Sequence, residues 1–142
     1  ELNSVRHLVE IFPFAISDVN GFSQFTSGLD INNKIDSIHG VKIIQTKNLD
    51  SFVHLPKPHA IKIDTEGHEL MIIRGASSIL ENGNLRLIIL EYNHLDIQDI
   101  IKIMCNYQFV PVTLVHGNMK LNTNLPPTIS GNLFFVRSEL IA

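Results

Sequence analysis

Residues Ile61-Lys62-Ile63-Asp64-Thr65-Glu66-Gly67-His68-Glu69-Leu70 decide how the rest of the chain is read. A short apolar strand ends in an acid, and a tight Gly turn then opens a stretch carrying two more acids. Leu70, Ile73, Ala76, Ile79 and Leu80 recur at helical spacing, so His68 to Leu80 reads as a helix packed on a sheet. Gly75 inside it weakens or kinks it, and Asn82-Gly83-Asn84 ends it. The next run, Leu85-Arg86-Leu87-Ile88-Ile89-Leu90, is nearly all apolar, as a central strand covered on both faces would be. It too ends in polar groups, Glu91-Tyr92-Asn93-His94. Ligands of open α/β sheets sit where the strands end. Two strands delivering acids to one edge therefore suggest a reaction site more than a requirement of the fold.

Outward from this centre, Val9 to Ile16 (VEIFPFAI) reads as a strand, with Pro13 marking a bulge or an edge position. Asn20-Gly21 is a turn pair, and the alternating Gly21-Phe22-Ser23-Gln24-Phe25 suggests a hairpin. Residues 26 to 40 read as loop, Val41 to Thr46 as a short strand, and Leu49 to Val53 as a helical turn. Downstream, Asp96 to Tyr107 shows helical spacing at Ile97, Ile100, Ile101 and Met104. Phe109 to Val115 and Leu133 to Val136 are two closing strands, with residues 117 to 131 a polar loop between them. This order implies parallel βα units with an antiparallel pair at the end.

At 142 residues the chain is about one domain, and 44% hydrophobic with 18% charged residues supports one real core. A net charge of −3 carries no basic footprint, so nucleic acid is not a favoured partner. Cys105 is alone, which excludes an internal disulfide and a multi-thiolate metal site; Ile103-Met104-Cys105 looks like a buried helix face with an inert thiol. No apolar run approaches the roughly 20 residues that span a bilayer, so no membrane partner is expected. No signal peptide is visible, and cytoplasmic residence is the default. The opening Glu1-Leu2-Asn3 lacks an initiator Met and reads as if cut from something longer.

The run Ile61 to Glu69, then Arg74-Gly75-Ala76 and Leu90-Glu91, resembles the core of the FkbM-type methyltransferases. Ala15-Ile16-Ser17-Asp18, Gly21, Leu49-Asp50 and the ending Gly131-Asn132-Leu133-Phe134-Phe135-Val136 resemble that family in order and spacing. The resemblance covers most of the chain. It implies an α/β class I methyltransferase (Rossmann-like) sheet, mostly parallel with an antiparallel C-terminal strand pair. It also implies S-adenosylmethionine as donor and methyl transfer to a hydroxyl of a small molecule or sugar. One departure matters. The family's Gly-rich loop and the acid after its second strand have no counterpart here. By the resemblance, residues 1–142 are a single α/β domain forming the C-terminal part of a longer methyltransferase domain. The strand before Ser17 should then be an exposed edge or re-pair elsewhere.

Each candidate residue has two readings. Asp64 either orients cofactor or acceptor, or caps the following helix. Glu66 and Glu69 occupy a first helical turn, where acids are stabilised by the helix dipole; function is favoured for Glu66 and a structural role for Glu69. Gly67 permits a close approach or a conformation that a β-carbon would block. Asp64, Glu91 and Asn93 are also oxygen donors of the kind Mg²⁺ takes, by analogy with some small-molecule O-methyltransferases. Hydrogen bonds tying two loops together are the simpler account, and no metal is assigned. Methyl transfer needs nucleophile and methyl held in line and a base for the hydroxyl proton. His94 is preferred to His68 for that task, since it follows Glu91 past a strand end; a solvated loop residue is the plain alternative. Ser17 and Asp18, by the resemblance, lie near the adenine of the cofactor; an Asp-containing turn is the plain alternative.

Two competing functions remain. An acid at a strand end also suits phosphoryl transfer through an aspartyl phosphate, but Thr65-Glu66-Gly67 after Asp64 does not match that pattern. The other is a non-catalytic methyltransferase-like remnant that binds a partner.

Overall fold

The computed structural model describes residues 4, 6–29, 33–93, 96–115, 118–121 and 130–141. Two sheets form. The smaller contains β1 (Ala15–Ile16), β2 (Gly21–Phe25) and β3 (Lys42–Lys47) in the order β1-β3-β2, with β1 parallel and β2 antiparallel to β3. The larger contains β4 (Ala60–Ile63), β5 (Leu87–Asn93), β6 (Phe109–Val115), β7 (Asn118–Leu121) and β8 (Ser130–Arg137) in the order β4-β5-β8-β6-β7. Helices α1 (Glu69–Arg74), α2 (Ser77–Glu81) and α3 (Ile97–Asn106), short 3-10 segments at Arg6–Leu8 and Ser138–Leu140, and a 3-10 turn at Leu49–Phe52 complete the regular structure among the described residues.

The α/β class is present, but the larger sheet is mixed rather than mostly parallel. The β4–β5 pair is parallel. Strand β8 then inserts antiparallel to both β5 and β6, and β7 pairs antiparallel with β6. Three strands thus run one way and two the other. Strand β7 falls inside the span read as loop, 117–131; residues 122–129 of that span lie outside the described residues.

The segment Val9 to Ile16 narrows to a two-residue strand. No strand among the described residues pairs with its first part, Pro13 has no N–H to donate, and Leu8, Val9 and Ile11 stand exposed at 73%, 58% and 83%. What survives re-pairs with β3. Strands β1 and β2 do not form a hairpin with each other, because β3 lies between them. Asn20 serves the 3-10 turn instead: its Oδ1 accepts from the Asn48 amide and the Ser51 hydroxyl, both at 2.9 Å.

Gly75 divides the stretch read as one helix into α1 and α2. A β-carbon there would stand 2.4 Å from the Ser17 carbonyl oxygen and 2.9 Å from Asp18 Cα. Gly75 thus lets the end of β1 lie directly on the helix break. Ile72 and Ile73 of α1, Leu80 of α2 and Ile97, Ile100 and Met104 of α3 pack with Ile63, Ile88, Leu90, Phe109, Leu133 and Phe135 in one buried cluster. The strand register puts those sheet residues on one face. Val112 and Val136, on the reverse face, are buried but lie outside that cluster, and Leu87 and Ile89 there are only half-buried. Strand β5 is therefore covered fully on one face, not both. Cys105 is exposed rather than buried; the inward position of that turn belongs to Met104.

Candidate functional site

The parallel β4–β5 register aligns Ile63 with Leu90. Asp64 and Glu91, one residue further, therefore emerge side by side at the same sheet edge. Lys62 Nζ donates to Asp64 Oδ2 at 2.6 Å. That contact, and secondarily Glu91, holds the Asp64 carboxyl below its ordinary range, while the Lys62 ammonium is pushed up by Asp64. Asp64 is thus a stable anion, suited to orienting a ligand or complementing positive charge rather than to accepting a proton.

Next to these groups lies a cavity of about 430 Å³ between the two sheets, within the usual range of small-molecule sites, roughly 300–1,000 Å³. One wall is Phe14, Ala15 and Ile16; the other is Ile61 to Thr65 along the edge of β4 that no strand among the described residues covers, together with His68 and Ile72.

Glu66 is placed elsewhere. It adopts φ of 53° and Gly67 φ of 95°. Two left-handed residues in succession turn the chain away from Asp64, and Glu66 lines a second groove with Lys34, Asp36 and Asp96. The structure thus brings Asp64 and Glu91 together and leaves Glu66 out. In that groove the Asp36 carboxylate accepts from the His39 and Ile38 amides, which lowers its pKa to about 2.

Glu69 shapes the turn. It is 6% exposed, and its Oε1 accepts from the Thr65 amide, the Thr65 hydroxyl and the Gly67 amide at 3.3, 3.1 and 3.0 Å. Asp50, quoted above only as part of a family motif, reaches across to cap α2: its carboxylate accepts from the Ser78 and Ile79 amides at 3.0 and 3.1 Å. Ala76 at the start of α2 has no capping side chain, so a distant acid supplies it. No local signal reveals this.

Ser17 and Asp18 sit together beside the cavity. The Ser17 hydroxyl donates to Asp18 Oδ1 at 3.0 Å and lies 2.9 Å from His68 Nε2. Burial lowers the His68 pKa below its usual value, opposed by the nearby charges of Asp18 and Glu69. His94 lies outside the described residues, as does the side chain of Asn93. Among the described residues no group of three or more His, Cys, Asp or Glu is placed to hold a metal ion. No helix among them is long and apolar enough to cross a membrane.

Comparison with known proteins gives this geometry a context. The methyltransferase FkbM domain matches residues 2–111. Hexuronic acid methyltransferase AglP of Haloferax volcanii is 32% identical over 71 residues, which is 48% of this chain and 29% of that protein. The chain therefore aligns with less than a third of that relative's length. No solved structure matches the chain. The strand-end acids, the Gly turn between them and α1, and a family match spanning most of the sequence lead to one conclusion: this chain belongs to the FkbM methyltransferase family.

Proposed function

We propose that the chain supplies the acceptor side of an S-adenosylmethionine-dependent O-methyltransferase acting on a hydroxyl of a sugar or similar small molecule. The observation that carries this reading is the pairing of Asp64 and Glu91 at adjacent strand ends, with Asp64 and Lys62 lining an apolar cavity. The lining suits the donor in chemistry. Phe14, Ile16, Ile61 and Ile72 offer an apolar wall to an adenine ring, and Asp64 offers a carboxylate to a ribose diol or a cationic group. When bound, such a donor supplies an electrophilic methyl on a sulfonium sulfur. The protein must hold the acceptor oxygen in line with that methyl, exclude water and remove the hydroxyl proton.

The name of the relative raises a second acceptor, the carboxylate of a sugar acid. A binding module without turnover is the remaining reading, favoured by the edge of β4, which pairs with no other strand among the described residues, and the half-covered reverse face of the large sheet.

The test is release of S-adenosylhomocysteine from S-adenosylmethionine, with methyl glucoside as the neutral acceptor and glucuronate as the anionic one. Asp64→Asn should lower turnover at least about tenfold while changing stability by under about 0.5 kcal/mol, as for an exposed side chain. Unchanged turnover with reduced stability would make Asp64 a structural residue only. Calorimetric titration with S-adenosylhomocysteine checks the donor separately.

A further inference from the structure

Ser17 and His68 are 51 positions apart in sequence, yet their side chains meet at 2.9 Å beside the cavity. Ser17 is 5% exposed and His68 is half-buried. A hydroxyl has one proton. The Asp18 carboxylate only accepts; with the Ser17 proton directed to it, the Ser17 oxygen accepts from His68 and Nε2 of the ring carries the hydrogen. Nδ1 then holds the lone pair, and it has no hydrogen-bond partner among the described residues. His68 lines the same cavity as Asp64. The arrangement is that of a positioned base: one nitrogen fixed by a hydroxyl–carboxylate pair, the other without a partner among the described residues, on a ring that lines a site of ligand size.

We propose that His68 is the general base of the methyl transfer, with Nδ1 accepting the proton of the acceptor hydroxyl while Ser17 and Asp18 hold the ring in the Nε2–H tautomer. This rests on the methyl-transfer reading above. As the acceptor oxygen bonds the methyl carbon, the carbon–sulfur bond breaks with its electron pair left on sulfur, and the hydroxyl proton passes to Nδ1. The resulting imidazolium is stabilised through Ser17 by the Asp18 charge and later releases its proton to water. Ser17 and Asp18 are positioning residues. Asp64, held as an anion by Lys62, complements the charge that develops on the ring. The charged groups around His68 are Asp18 beyond β1, Glu69 on α1, Asp64 and Lys62 at β4, and Lys34 on the loop across the cavity. Burial keeps the ring neutral, and therefore basic, at pH 7.

The test begins with the full chain carrying ¹⁵N-labelled histidine. Two-bond ¹H–¹⁵N spectra should show neutral His68 as the Nε2–H tautomer, and Ser17→Ala should remove that preference. With S-adenosylmethionine and methyl glucoside, His68→Gln should lower kcat about 100-fold or more. It should leave the donor KM within about twofold and abolish the rise of rate with pH expected of the wild type below neutrality. Ser17→Ala should displace that rise, and Ser17→Thr should restore it. A wild-type His68 in the Nδ1–H tautomer, or a His68→Gln kcat within threefold of wild type, would overturn the assignment. Nε2–H tautomer together with absent turnover and no calorimetric binding of S-adenosylhomocysteine, both in this chain and in the longer methyltransferase domain of which the resemblance makes it the C-terminal part, would overturn the methyl-transfer reading itself, and the base with it.

Discussion

Replacing Arg137 by Met should destabilise this protein more than any change at the candidate site. Arg137 is 7% exposed and forms no ion pair among the described residues. Its guanidinium is satisfied by carbonyls. Nε donates to Leu85 O at 3.1 Å, one Nη to Tyr107 O at 2.9 Å, and the other Nη to Leu80 O and Asn82 O at 2.7 and 2.8 Å. The guanidinium carbon also lies 4.5 Å from the Phe109 ring centre. Leu80 and Asn82 end α2 and Tyr107 caps α3, so one cation neutralises the negative ends of two helices. Methionine fills much of the volume and donates nothing. Water can reach Tyr107 O and Asn82 O, which are only partly enclosed, but Leu80 O and Leu85 O stay buried and unpaired. At about 1–3 kcal/mol for each orphaned acceptor, with lost cation–π contact added and relief of the buried charge subtracted, the net loss is about 3–5 kcal/mol. Arg137→Lys keeps the charge and part of the bonding and should lose about half as much. Urea unfolding followed by circular dichroism, fitted with a common m-value, measures both. A loss under about 1 kcal/mol for the Met variant would mean that these carbonyls find other partners and that the network is not what joins the helices to β8.

Three further outcomes are expected. Gly75→Ala should cost about 1–3 kcal/mol despite the better helix propensity of alanine, because the new methyl meets the Ser17 backbone rather than a movable side chain; the same variant should lose the His68 tautomer preference in the ¹⁵N spectra. Asp50→Ala should cost about 1 kcal/mol by uncapping α2, with amide exchange accelerating first at Ser78 and Ile79. His68 has a folded pKa below the ordinary histidine value of about 6.5, so the unfolded chain binds more protons in the window just under it. Its contribution to stability is therefore complete above that pH and declines as the pH falls through the window; His68→Gln should flatten this segment of the stability–pH curve, and an unchanged slope would exclude His68 as its source.

The local features of the fold were legible where short-range physics decides them. Helical spacing at Leu70, Ile73, Ile79 and Leu80 locates one helical stretch where α1 and α2 lie, and Gly75 marks where it weakens or kinks, because glycine weakens a helix wherever it occurs; the full division into two helices shows only in the structure. Apolar runs ending in Asp64 and Glu91 announced two strands and their polar ends. Other features were hidden. The weak pattern of Asn118–Leu121 gave no sign of β7, since an edge strand is recruited by its neighbour β6 rather than by its own composition. The extent of the strand before Ser17 was overestimated because β-propensity at Val9 and Ile11 counts for little without a partner strand.

The residues themselves determined the α/β class, the order of most elements and the family, because periodicity, turn chemistry and motif spacing are written over ten or so consecutive positions. Tertiary structure alone decided which polar groups share a pocket. It aligned Ile63 with Leu90 and so paired Asp64 with Glu91, sent Glu66 to a different groove through two left-handed residues, and brought Ser17 to His68 and Arg137 to three separate backbone segments. Contacts spanning tens of residues are set by how the sheets and helices pack, and that packing is a collective property that no single stretch of the chain contains.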